Sequence, residues 1–315
     1  MRHHLLVALS LSAAILSAQE TRERAPQIPF KLVEDFFKVP DNIYFAEAVG
    51  VALNSKGHIF IANRGNHPLL EFNPDGTFIR SWGEESEIFH APHSVRFDSQ
   101  DNMWFVDAGN NLIVKFDQDR QILQVLGSRP EPWTWDTHVI EKAVPGPTHF
   151  YQPTDTVVGP DGSVYITDGY GNSRVAKFSS DGRLLKYWGQ RGTGPSQFNT
   201  PHSIVMDRNS TLYVADRQNN RIQLFDTEGN FKKEWRLSGP PWSLCITPGP
   251  AQIIYAGSIG RIFKLDLTGK VLGEFGKPGK LAGEVDSVHA IACPDEKTIY
   301  AAQEFSYRFD KFLLQ

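Results

Sequence analysis

Thr200-Pro201-His202-Ser203-Ile204, then Leu212-Tyr213-Val214-Ala215-Asp216, then Arg221-Ile222-Gln223-Leu224-Phe225 make up the phrase that decides the fold. Each run is short, rich in aromatic and β-branched residues, and bounded by Asp, Asn and Ser, which is the chemistry of strands and turns without a helical period. The phrase recurs upstream. Gln152-Pro153-Thr154-Asp155 leads through the turn Pro160-Asp161-Gly162 to Val164-Tyr165-Ile166-Thr167-Asp168 and Val175-Ala176-Lys177-Phe178. Before it, Ala91-Pro92-His93-Ser94-Val95 leads to Trp104-Phe105-Val106-Asp107 and Ile113-Val114-Lys115-Phe116. Fainter copies start near Glu47, Pro240 and Ser287, and copies close on Trp82-Gly83, Trp188-Gly189 and Phe275-Gly276. Six copies of a four-strand unit predict an all-β, six-bladed β-propeller over residues 29–315. The last copy reaches Gln315 after three strands, so the apolar segment Phe30 to Val39 is expected to supply the fourth, closing the ring and covering a sheet edge.

Composition bounds the partners. The 315 residues are 40% hydrophobic and 22% charged, with a net charge of −4 and a sequence pI of about 6.2. That balance argues against nucleic acid or an anionic membrane surface as partner. Met1-Arg2-His3-His4, an apolar run from Leu5 to Ser17 and then Ala18-Gln19-Glu20 read as an export signal over residues 1–18. The run is too short to span a bilayer, which takes roughly 20 apolar residues, so a periplasmic or secreted location without stable membrane insertion is expected. Cys245 and Cys293 occupy similar places in consecutive repeats. A disulfide is open to them, but buried free thiols are the expectation, because neighbouring inner strands need not bring their Cα atoms within about 7 Å.

In a blade the innermost strand starts on one face of the disc and the second strand returns to it. Residues that open first strands and residues that follow second strands therefore share one rim around the central channel. The six opening positions are Val49, His93, Thr154, His202, Trp242 and His289. Histidine on every second blade is a three-fold arrangement converging on the axis, and three imidazoles with an open fourth position suit a catalytic zinc. A single Pro-His-Ser strand start is ordinarily structural; three in this register are hard to explain as packing. His58, His67, His90, His138 and His149 lack the register. Arg64, Tyr170 and Arg217 follow second strands. Tyr170 is a candidate general base, its phenolate favoured by Arg64 and a metal, and Arg217 a candidate fork for a substrate carboxylate. Asn63, Asp107, Asp168 and Asp216 end second strands, where such side chains ordinarily bond turn backbone.

Asp168-Gly169-Tyr170-Gly171-Asn172-Ser173-Arg174, Ala215-Asp216-Arg217 through Arg221-Ile222-Gln223 and the two Pro-His-Ser starts resemble the lyase domain of peptidylglycine α-amidating monooxygenase, an NHL-repeat propeller. The resemblance runs from about Glu47 to the C-terminus. It implies zinc held by His93, His202 and His289, with Tyr170 as base and Arg64 and Arg217 in support. It also implies cleavage of a peptidyl or N-acyl α-hydroxyglycine to an amide and glyoxylate. Tyr151 and Gly171, and Tyr213 and Leu224, stand where that family has two disulfides. Its structural calcium would correspond to the backbone carbonyls of Val51 and Val95 plus an aspartate after the third histidine. That residue here is Ala290, which leaves the calcium site one carboxylate short.

Two other readings stay open at this level. One is a non-catalytic NHL propeller that binds a protein or carbohydrate on its rim and keeps zinc for stability. The other is a metal-dependent hydrolase such as a lactonase, which would need carboxylates at the channel mouth that the repeat register does not reveal. The loop from Ser128 to His149, with Trp133 and Trp135, is long for a blade connection and is expected to border the mouth.

Overall fold

A computed structural model describes residues 25–128 and 149–315. The expected export segment and most of the Ser128 to His149 loop, with both tryptophans, lie outside the described residues. Six four-stranded antiparallel sheets follow one another along the chain. The blades begin with the inner strands Ala48–Leu53, Pro92–Phe97, Asp155–Val158, Pro201–Met206, Ser243–Ile246 and Val288–Ala292. Blade 6 takes its outermost strand from Phe30–Val33, paired antiparallel to Arg308–Leu314 with Phe30 opposite Leu314 and Val33 opposite Lys311. The ring is therefore closed by an N-terminal strand, one shorter than the Phe30 to Val39 segment, because Asp35 turns into the left-handed region at φ +48°. Beyond that turn Lys38 donates to the carbonyl of Gly76 and ties the segment to blade 1.

The strands alternate too little to have one wet face; most second and third strands are buried along their whole length. Each blade packs on both neighbours, so six apolar clusters sit between consecutive blades. One joins Val49 and Phe60 to Phe105 and Val114, and another joins Tyr165 and Val175 to Ile204 and Phe225. Each fully buried phenylalanine contributes about 1.5–3 kcal/mol of burial, spread around the ring rather than gathered in one core. The aromatic-glycine closures have a steric cause: Gly189 has φ +101°, and a Cβ there would lie 2.6 Å from the Phe198 ring.

Cys245 and Cys293 form a disulfide with Cα atoms 6.0 Å apart, which corrects the expectation of free thiols. The inner strands of blades 5 and 6 converge close to the axis, within bridging distance. A disulfide fits a protein that matures in an oxidising compartment. Tyr151 and Gly171 are neighbours, with the Gly171 amide donating to the Tyr151 carbonyl and the tyrosine ring filling the space a Cβ would need. Tyr213 and Leu224 are cross-strand partners. Packing and pairing hold both places together without a covalent link.

Candidate metal centre

The three histidines sit at irregularities that their sequence pattern does not announce. In blade 2 Pro92 pairs with Asp107 and Ser94 with Val106, leaving His93 without a partner residue; His202 and His289 are skipped in the same way. Each is the extra residue of a β-bulge, which turns a side chain out of the pleat's alternation. Here it turns the imidazole to the axis. The ring centroids are 4.8, 4.5 and 4.8 Å apart, a nearly equilateral triangle, and all three residues are buried.

The other three blades supply the acceptors. His93 Nδ1 lies 2.6 Å from the Thr154 carbonyl, His202 Nδ1 2.6 Å from that of Trp242, and His289 Nδ1 2.8 Å from that of Val49. Each Nδ1–H donates to the equivalent position of the next blade, which leaves the Nε2 lone pair directed inward. Burial, the neighbouring imidazoles and the rim arginines hold His93 and His202 well below the ordinary histidine value, and burial with Arg64 takes His289 down to about 3. All three are neutral at pH 7 and fit a metal ion. One nitrogen from each lies within 4.8 Å of the others, and among the described residues this is the group able to hold one. His289 Nε2 is buried without a hydrogen-bond partner among the described residues, a costly state that a metal would relieve.

Tyr170 joins the triad directly: its hydroxyl is 3.1 Å from His93 Nε2 and 3.1 Å from His202 Nε2. Burial outweighs the lowering effect of Arg217 and Arg64 and leaves its pKa raised, so the arginines alone do not favour the phenolate. The two arginines, expected on one rim, are both there but differ. Arg64 donates through Nε to the Pro92 carbonyl and through Nη1 to Glu47 at 2.8 Å and Glu304 at 3.1 Å. Arg217 lies against Trp242, 4.3 Å from its ring centroid, and 5.4 Å from that of Tyr170. Its Nε has no partner among the described residues.

Sequence reasoning missed Glu47 and Glu304, the carboxylates at the mouth. Glu304 follows the second strand of blade 6, as Arg64 and Arg217 follow theirs, so the register contained the signal. Asn63, Asp107, Asp168 and Asp216 do bond backbone, accepting from Ala46, Ala91, Tyr151 and Asn199 in the loop before each inner strand. His58 and His67 pair with Glu71 and Glu84 away from the triad.

The NHL repeat family matches residues 45–72, 150–178 and 198–225. Three of the six blades of this propeller thus carry NHL repeats. Human NHL repeat-containing protein 3 is 32% identical over 213 residues, covering 64% of the chain and 57% of that protein. A probable peptidyl-alpha-hydroxyglycine alpha-amidating lyase of Caenorhabditis elegans is 29% identical over 243 residues, covering 69% of the chain and 63% of that protein. The propeller thus spans less than two thirds of either relative. Virginiamycin B lyase from Staphylococcus aureus shares the fold, with a TM-score of 0.61 at 17% identity over 91% of this chain and 100% of that one.

Proposed function

We propose that the propeller is a zinc-dependent lyase that cleaves an N-acyl or peptidyl α-hydroxyglycine to an amide and glyoxylate. The observation that carries this reading is the Tyr170 hydroxyl within hydrogen-bond reach of two inward-facing Nε2 atoms, beside an arginine whose Nε has no partner among the described residues. A passive structural metal needs neither. His93, His202 and His289 would hold the zinc, which when bound supplies a Lewis acid and additional positive charge.

The chain's own residues account for the rest. Arg217 binds the substrate carboxylate, and Trp242 fixes the plane of its guanidinium. With the charge of a bound zinc offsetting its burial, Tyr170 Oη as phenolate would take the proton from the substrate's α-hydroxyl as the bond from the α-carbon to the amide nitrogen breaks. That nitrogen leaves with the bonding pair and gains the proton, so an amide and an aldehyde form without water. Arg64, held between Glu47 and Glu304, contributes positive potential near Tyr170 rather than a free fork. The substrate class is supported by the resemblance of these motifs and by the name of the nematode relative.

A second reading, a non-catalytic rim-binding propeller stabilised by its metal, draws on the human relative, whose name carries no activity. One assay separates them. The zinc-loaded protein is expected to release glyoxylate from α-hydroxyhippurate, and Tyr170→Phe to lose that activity while keeping its metal. Absence of glyoxylate from the loaded wild type rejects the lyase.

A further inference from the structure

Below the triad the channel is crossed by an ion pair between the partly buried Arg96 and the buried Asp155. Arg96, three residues after His93 on the same inner strand, directs Nε and Nη2 at the two carboxylate oxygens of Asp155 on blade 3, at 2.9 and 2.5 Å. Asp155 also accepts Ser94 Oγ at 2.5 Å, Ser203 Oγ at 2.7 Å and the Ile204 amide at 3.1 Å. Arg96 Nη2 continues to Ser203 Oγ and the Leu244 carbonyl, both at 3.3 Å. One carboxylate and one guanidinium thus tie the inner strands of blades 2, 3, 4 and 5. On the far side lies a cavity of about 330 Å³, lined by all six inner strands and bounded by Arg96.

The attachment points are not arbitrary. Ser94 and Ser203 directly follow His93 and His202, and Thr154, whose carbonyl receives His93 Nδ1, directly precedes Asp155. An ion pair with a buried carboxylate is a poor source of net stability, since the cost of desolvating the charge offsets much of the attraction. An apolar plug would fill the channel at less cost, but it could not hold two serine hydroxyls and two strands in register. The pair also bears on the calcium implied by the family resemblance. Val51 and Val95 offer carbonyls, but Ala290 offers only a methyl group, and Arg96, adjacent to Val95, already brings a positive charge into the channel. Two carbonyls without that carboxylate fall well short of the roughly six to eight oxygens calcium takes, and the nearby Asp155 carboxylate is already occupied by Arg96, so the residues present do not fit calcium.

We propose that Arg96–Asp155 is a built-in plug that sets the spacing of His93 and His202, and through it the metal affinity of the triad, in a channel that needs no calcium. It rests on the triad binding metal. One variant of the full chain, Ser94→Ala/Ser203→Ala, removes the tethers and leaves the ion pair, and a second, Arg96→Met, removes the pair itself. Zinc affinity is measured by chelator competition and ligand geometry by the visible absorption of the cobalt-substituted protein. Both variants are expected to bind zinc at least about tenfold more weakly, the loss typical of outer-shell partners, with an altered cobalt spectrum. The double variant is expected to keep a Tm close to that of the wild type, and the wild-type Tm to be unmoved by excess calcium. Unchanged affinity and spectrum in the serine double variant overturn the positioning role alone. A calcium-dependent rise in wild-type Tm overturns the calcium-free channel, and a wild type that binds no zinc removes the metal reading and this role with it.

Discussion

Replacing Arg217 tests the proposed site at the point where chemistry and geometry meet. The side chain opens a short 3-10 turn at Arg217–Asn219, is 8% exposed, lies 4.3 Å from the Trp242 ring centroid and has an Nε without a partner among the described residues. Arg64, its counterpart on blade 1, already holds two carboxylates. Arg217 is therefore the guanidinium available to an incoming anion. A charge-assisted hydrogen bond contributes about 1.5–3 kcal/mol, and a fork makes two. Arg217→Lys keeps the charge but loses the second parallel bond and the planar stack. A loss of about 2 kcal/mol corresponds to about thirtyfold weaker binding. Arg217→Ala loses both bonds and the ring contact, about 4 kcal/mol, or about a thousandfold in kcat/KM. The assay is steady-state glyoxylate release from α-hydroxyhippurate by variants with equal zinc content. KM should rise with kcat largely kept in the lysine variant, since the carboxylate is held alike before and during bond cleavage. A lysine variant with wild-type KM would falsify the assignment, as would an equal loss on an analogue whose carboxylate is replaced by a neutral amide.

Further outcomes follow from individual contacts. His202→Ala should lose stoichiometric zinc by metal analysis, whereas Tyr170→Phe should retain it; zinc kept at full stoichiometry in the histidine variant rejects the triad. Cysteines 48 residues apart close a loop worth about 4 kcal/mol by chain entropy, so a Cys245→Ser/Cys293→Ser variant should unfold at clearly lower denaturant, and an unchanged midpoint would show that the link adds nothing. A chain starting at Glu34 lacks Phe30–Val33 and leaves the Arg308–Leu314 edge open; light scattering should report concentration-dependent association, and a monodisperse monomer would contradict ring closure by this strand. Burial works against ionisation of Asp155, but the Arg96 charge and the Ser94 and Ser203 hydroxyls outweigh it and hold the carboxyl below its ordinary value of 3.8. A depressed carboxyl contributes stability that is fully present above about pH 4 and is lost as pH falls through its folded-state value. Asp155→Asn should therefore remove part of the Tm decline below pH 4, and an unaltered decline would assign acid sensitivity elsewhere.

Much was legible in the amino-acid order because it is local. Strand length, turn chemistry and the repeat of His93, His202 and His289 determine six blades and a rim that carries Arg64, Tyr170 and Arg217, since strand direction alone places both ends on one face. What local order does not contain is the distance between blades. Only the assembled ring shows the bulges that aim the three imidazoles, and only it shows why histidine alternates: Thr154, Trp242 and Val49 lend the carbonyls that fix each Nδ1. Only the ring brings Cys245 to Cys293, commits Arg64 to Glu47 and Glu304 while setting Arg217 against Trp242 and Tyr170, and joins Arg96 to Asp155, 59 residues away. The physical reason is the same in each case. Strand pairing within a blade is set by neighbours in sequence, whereas contacts across the axis depend on how closely six twisted sheets converge, a property of the closed circle and not of any single repeat.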